Sequence, residues 1–147
     1  LQAEGGIGPG TIEEVARARM EIQPGVEDLL GYLEARRLPL GIITRNTDKT
    51  VRHLLGRLSF SFSAVITRDF EPVKPAPDAV LHICRQWAVA PAEVLMVGDY
   101  RDDILCGKTA GAVTCLLVNA RNRAYESLAH FAVSDFVQLQ ARIAGMT

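Results

Sequence analysis

The 147-residue sequence predicts an α/β fold: a parallel sheet with helices packed on both faces. Three observations carry that prediction. From Pro24 onward, amphipathic helical stripes alternate with short apolar runs. The runs LGIIT (40–44), AVIT (64–67), VLMV (94–97) and VTCLLV (113–118) are nearly continuous in apolar residues, as strands buried on both faces are. One of them passes through Gly98-Asp99 into a small-residue helix pattern ending at Ala110-Gly111. Open α/β sheets hold their ligands at such handovers from strand to helix.

Composition narrows the class. Hydrophobic residues make up 48% and charged residues 22%, the balance of an ordinary globular domain with a core. A formal net charge of −1 offers no basic field for nucleic acid. No apolar run has the length of a membrane span, and no charged segment leads into an apolar one near Leu1. The expected setting is therefore cytoplasm or an organelle lumen rather than secretion, without membrane or nucleic-acid partners. Oligomeric state is not encoded in these features. The cysteines, Cys84, Cys106 and Cys115, are odd in number and lack zinc-like spacing. They read as reduced core thiols.

The elements follow in order. Residues 1–10 contain GGIGPG, but no strand pattern precedes it and Pro9 interrupts it. The stretch reads as a flexible lead-in or turn rather than a phosphate loop. Thr11 is positioned to cap a short polar helix reaching Met20. Pro24-Gly25 opens an amphipathic helix with Val26, Leu29, Leu30 and Leu33 on one stripe, and Pro39 follows its end. After LGIIT, Asn46 or Thr47 caps a helix with Val51, Leu54, Leu55 and Leu58 on one face. His53 lies off that face and reads as an exposed residue, not a ligand. AVIT leads into Arg68–Pro77, where three prolines enforce a loop. Pro77 suits a first helical position, and Val80, Ile83, Cys84 and Trp87 form the next stripe, which puts Trp87 in the core. The strand VLMV, a helix after Asp102 and the strand VTCLLV come next. Ala132-Val133 forms a short strand, and a last helix carries Val137, Leu139 and Ile143.

Polar residues stand where three strands end: Thr44, the loop residue Lys74, and Asp99 with Asp103. A strand-end hydroxyl can donate to a phosphoryl oxygen, helped by the backbone N–H groups of Arg45 and Asn46 ahead of a helix. A lysine supplies a point charge to a phosphoryl group in transfer. Two carboxylates suit Mg²⁺, which takes few protein oxygens and completes its shell with water and phosphate. Asp102 is read as complementing the positive end of its helix. Singly, Thr44 is also a strand-end cap and Lys74 a solvated loop charge. Their order and setting distinguish the phosphoryl reading.

With these residues in place, the sequence resembles the haloacid dehalogenase superfamily of phosphatases. GIITRN (41–46) looks like its second motif, VKPAPD (73–78) its third, and VGDYRDDILCGKTAG (97–111) its fourth. PGV (24–26) matches the segment before the second motif in members with a helical cap. The resemblance covers residues 24 to about 140. It implies a Rossmann-like three-layer core over residues 23–147, with residues 1–22 as a cap remnant and linker. It also implies Mg²⁺-dependent hydrolysis of a small phosphorylated metabolite, phosphoglycolate-like, through an aspartyl-phosphate. Thr44, Lys74, Asp99 and Asp103 would be catalytic. Thr44, Arg45, Asn46 and Lys74 would hold phosphate, and Asp99 and Asp103 would hold the metal.

One departure is large. The family's first motif, Asp-x-Asp-x-Thr, supplies the nucleophile and general acid, and no Asp-x-Asp occurs in this sequence. The expectation is a C-terminal part of a phosphatase, inactive by itself, lacking the first, central strand and most of the cap. The strands ending at Thr44 and Val97 would then flank a vacated slot. They would close on each other, borrow a strand from a second copy, or stay about twice the usual ~4.8 Å apart. The alternative function is a non-catalytic domain that binds a phosphorylated ligand or a protein partner. A phosphoacceptor receiver domain is a third class, but there the acceptor Asp precedes the Thr and Lys, the reverse of the order here.

Overall fold

The computed structural model describes residues 2–6 by their backbone, and residues 25–57 and 60–146 in full. Six parallel strands form one sheet in the order β3-β2-β1-β4-β5-β6. They are β1 (Gln2–Gly6), β2 (Gly41–Ile43), β3 (Ala64–Ile66), β4 (Leu95–Gly98), β5 (Val113–Leu117) and β6 (Phe131–Val133). The helices are α1 (Val26–Ala35), α2 (Asp48–Leu55), α3 (Asp78–Trp87), α4 (Arg101–Ala110) and α5 (Phe136–Met146).

Alternation along β4 divides the core. Leu95 and Val97 join Leu29, Leu30, Leu33, Leu139 and Ile143 from α1 and α5. Met96 joins Val80, Ile83, Cys106 and Ala110 from α3 and α4 on the other face. Two faces each covered by helices make the three-layer sandwich that the apolar runs require. Helix α4 lies especially close to the sheet. A Cβ on Gly107 would stand 2.8 Å from Thr114 Cγ2 and 2.9 Å from Met96 Cβ, so only glycine allows that approach.

Local signals explain the ends. Thr47, not Asn46, caps α2: its side chain accepts from the Thr50 N–H at 3.1 Å. Helix α4 stops at Gly111, whose φ of 93° favours a residue without Cβ. His53 is exposed and the three cysteines are buried, as expected. Burial pushes the Cys106 thiol up to about 11 and the Cys115 thiol up to about 12.

Three expectations are corrected. The slot between β2 and β4 is neither closed nor open. Gln2–Gly6 lies in it as β1, parallel to both neighbours. No Asp-x-Asp occurs in the sequence, and the position between β2 and β4 is taken by residues expected in a linker. The physical demand is backbone pairing: a buried N–H or C=O without a partner costs roughly 1–3 kcal/mol. An extended segment meets that demand whatever its side chains. The fit is irregular, since β1 advances from Gln2 to Gly6 while β4 advances only from Met96 to Gly98. Second, Val137 is 67% exposed, and Phe136 takes its expected place in the stripe with Leu139 and Ile143. Third, Trp87 is half-buried, packed against the core on the α3 and α4 face rather than enclosed in it. The proposed helix from Thr11 to Met20 lies outside the described residues, as does Leu58.

Candidate active site

Thr44, Lys74, Asp99 and Asp103 come together at the carboxyl end of the sheet. Thr44 follows β2, is 3% exposed, and is fixed by its N–H donating to Ile66 O at 2.9 Å. Its Oγ1 accepts from the Asn46 N–H at 3.1 Å and from Asn46 Nδ2 at 3.2 Å. The Asn46 N–H, expected to face a phosphoryl oxygen, is therefore engaged by the hydroxyl beside it. This tight local turn orients Thr44 Oγ1 and retains its proton for donation.

Lys74 is the least ordinary residue. Nothing local in a proline-rich loop buries a lysine, yet it is 3% exposed. Its Nζ donates to Asp103 Oδ1 at 2.5 Å and to Ile43 O at 3.4 Å. The third-motif loop thus delivers its ammonium to the ends of β2 and α4. The other Asp103 oxygen, Oδ2, accepts from the Tyr100 N–H at 3.1 Å, a capping contact at the start of α4. Burial pushes the Asp103 carboxyl up to about 7, with the nearby Asp99 charge adding to the rise. The Lys74 ammonium and the Tyr100 amide pull the other way.

Asp99 follows β4 and is half-buried. Its main-chain oxygen accepts from Asn122 Nδ2 at 2.8 Å, and the same nitrogen donates to Leu117 O at 2.8 Å. Asn122 Oδ1 accepts from the Asn119 N–H at 2.8 Å. Asn122, 2% exposed, so ties the ends of β4 and β5 together. Sequence reading missed it, and an isolated Asn in a turn carries no signal for that reach.

Asp102 does more than face a helix end. Its Oδ2 accepts from Arg45 Nη2 at 2.8 Å, and Arg45 Nη2 also donates to Lys74 O at 2.6 Å. Among the described residues no cluster of three or more His, Cys, Asp or Glu could enclose a metal. The donor set fits a cation that takes one or two carboxylates and fills its shell with water and phosphate, as Mg²⁺ does, and not a fully protein-made cage.

This strand order, with polar side chains at the carboxyl ends, defines a Rossmann-like α/β protein. The chain belongs to the haloacid dehalogenase-like hydrolase family, whose pattern it matches over residues 10–117. It is 47% identical over 100 residues to a haloacid dehalogenase-like hydrolase domain-containing protein of Arabidopsis thaliana, covering 67% of this chain and 41% of that protein. It is 41% identical over 101 residues to the phosphoglycolate phosphatase of Escherichia coli K12, covering 67% and 40%. An uncharacterized hydrolase of Saccharomyces cerevisiae is 38% identical over 115 residues, covering 76% and 53%. The chain thus spans about half or less of the length of these relatives. Among solved structures, a phosphatase of the family from Thermococcus onnurineus superposes with a TM-score of 0.76 at 26% identity, covering 91% of this chain and 64% of that one. A family hydrolase from Ehrlichia chaffeensis superposes at 0.73 and 21% identity, covering 86% and 59%, a likeness of fold. Among the described residues no helix is long and apolar enough to cross a membrane.

Proposed function

We propose that this chain carries the phosphate-holding half of a Mg²⁺-dependent phosphomonoesterase that works through an aspartyl-phosphate on a small, phosphoglycolate-like metabolite. The observation that carries the reading is the buried Lys74, held 2.5 Å from Asp103 beside the end of β2. A buried ammonium that merely stabilised the fold would be a poor investment, since burying an ion pair rarely gains over an apolar pair. Held at the sheet's carboxyl end, it supplies fixed positive charge where a phosphoryl group gains negative charge.

Thr44 donates its hydroxyl proton to a phosphoryl oxygen, and Lys74 neutralises that group. Asp103 holds the lysine in place. Asp99 would hold Mg²⁺ directly, with Asp103 supporting it, and the bound ion would supply Lewis-acid polarisation of the phosphoryl oxygens. The attacking carboxylate is not among these groups. Strand β1 stands where the family's first motif would be and has no Asp, so the 147-residue chain binds without turning over. Hydrolysis requires an Asp-x-Asp segment in the β1 position.

Activity is the first test. The chain alone should not hydrolyse p-nitrophenyl phosphate. A chimera carrying the first-motif half of the E. coli phosphatase ahead of Pro24 should, and Asp99→Ala or Lys74→Ala in it should lower kcat at least about a hundredfold. Turnover by the unmodified chain that disappears with Asp99→Ala would show that its nucleophile is already present. Metal affinity is the second test. With one direct carboxylate, Mg²⁺ should bind the chain alone at about millimolar or weaker. Calorimetry giving micromolar affinity would require a further anionic ligand and overturn the assignment.

A further inference from the structure

Both ends of Lys74 are held, and the two holds are linked. Its ammonium is bound by Asp103, and its main-chain oxygen is bound by Arg45 Nη2 at 2.6 Å. Arg45 is anchored in turn on Asp102, the residue next to Asp103 in the first turn of α4, at 2.8 Å. The path Lys74–Asp103–Asp102–Arg45–Lys74 is a closed ring. It joins the loop after β2, the loop after β3 and the start of α4. The Asp102 side chain is 15% exposed and that of Arg45 31%, so solvent does not fully screen the pair. The competing cation, Arg101, stands farther off, at 3.8 Å from Asp102 Oδ1.

The arginine's own hydrogen bonding is not what sets this geometry. Its Nε is buried and has no partner among the described residues. Buried donors are ordinarily satisfied. Here one is left aside while a single terminal nitrogen serves both the loop carbonyl and the helix carboxylate. A side chain placed for its own solvation would lie differently.

We propose that Arg45 is a positioning residue for phosphate capture: it holds the main chain of Lys74, through Asp102, so that the ammonium stays at the end of β2. Asp102 belongs to this clamp. The inference rests on the phosphoryl reading for its purpose but not for its geometry. A positioning role is distinct from the expectation that the backbone N–H of Arg45 meets phosphate.

The test uses the full 147-residue chain with two readouts: hydrogen exchange of residues 67–77, and binding of inorganic phosphate followed by ³¹P NMR. Arg45→Ala and Asp102→Ala should each speed exchange in 67–77 while strands β4 and β5 keep their protection. Each should weaken phosphate binding about tenfold, the scale of one charge-assisted hydrogen bond. The double variant should be no worse than either single one, because both remove the same clamp. Asp102→Asn, which keeps an acceptor oxygen, should retain most of the loop protection. Unchanged exchange in 67–77, or exchange raised across the whole chain, overturns the proposal. So does phosphate binding that Lys74→Ala abolishes and Arg45→Ala leaves intact. If the unaltered chain binds no phosphate, the phosphoryl reading fails and loop exchange alone decides whether the clamp exists. Should Arg45→Ala fail to fold, Asp102→Ala and Asp102→Asn give the same comparison from the other side of the ion pair.

Discussion

Strand β4 reads Leu-Met-Val-Gly and is buried along its whole length, while β1 beside it reads Gln-Ala-Glu-Gly-Gly. β4 pairs with β5 through four consecutive partners from Leu95↔Val113 to Gly98↔Leu116. β1 pairs with β4 across a shift in register. β4 is specified by its own side chains, which fill two core faces at once. β1 is specified by its neighbours, whose inward edges need hydrogen-bond partners. The two routes lead to the same geometry with different tolerance to change, because side-chain packing discriminates among sequences and backbone pairing hardly does.

The widest separation should come from one substitution made in both strands. Met96→Pro removes a ladder donor and a fully buried side chain, and should cost more than about 4 kcal/mol, enough to abolish a cooperative urea transition followed by circular dichroism. Ala3→Pro should cost only about 1–2 kcal/mol, with the transition intact. If Ala3→Pro also prevents folding, β1 is as strictly specified as β4. A smaller effect probes what packs on β4. Gly107→Ala forces a methyl against Met96 and Thr114 and should cost about 1–3 kcal/mol, read as a lower urea midpoint. An unchanged midpoint would mean that α4 can lift from the sheet without penalty. The smallest effect concerns the thiols around β4. Cys106 on α4 and Cys115 on β5 are buried, with thiols held far from ionisation, and should not react with Ellman's reagent until denaturant is added. Reaction in native buffer would show that the β4 side opens as readily as β1.

The same contrast explains what could be read before the structure. β4, β5 and the helices carrying Leu30, Ile83 and Leu139 were legible because burial on a regular period leaves a pattern in the chain. β1 was not, since Gly, Glu and Ala are depleted in strands and its pairing is a property of the slot. In the candidate site, Thr44, Lys74, Asp99 and Asp103 were legible from residue type at strand ends. The direct bond between Lys74 and Asp103 was not, nor was the bond from Arg45 to Asp102, 57 residues away. Polar pairs so far apart have no local signature. Val137 was misassigned because a short terminal helix allows two phases of stripe, and Phe136 decides between them by filling the larger volume.

Trp87 gives the molecule an optical property of its own. It is the chain's single tryptophan, it ends α3, and its indole N–H donates to Ser63 Oγ at 2.8 Å, just ahead of β3. That is the amino end of the sheet, opposite Thr44 and Asp99. Its emission therefore reports whether α3 is docked on the edge strand. Ligand arriving at the carboxyl end should leave it dark to the event, so a fluorescence change on adding phosphate would signal movement carried through α3 rather than contact with the bound anion.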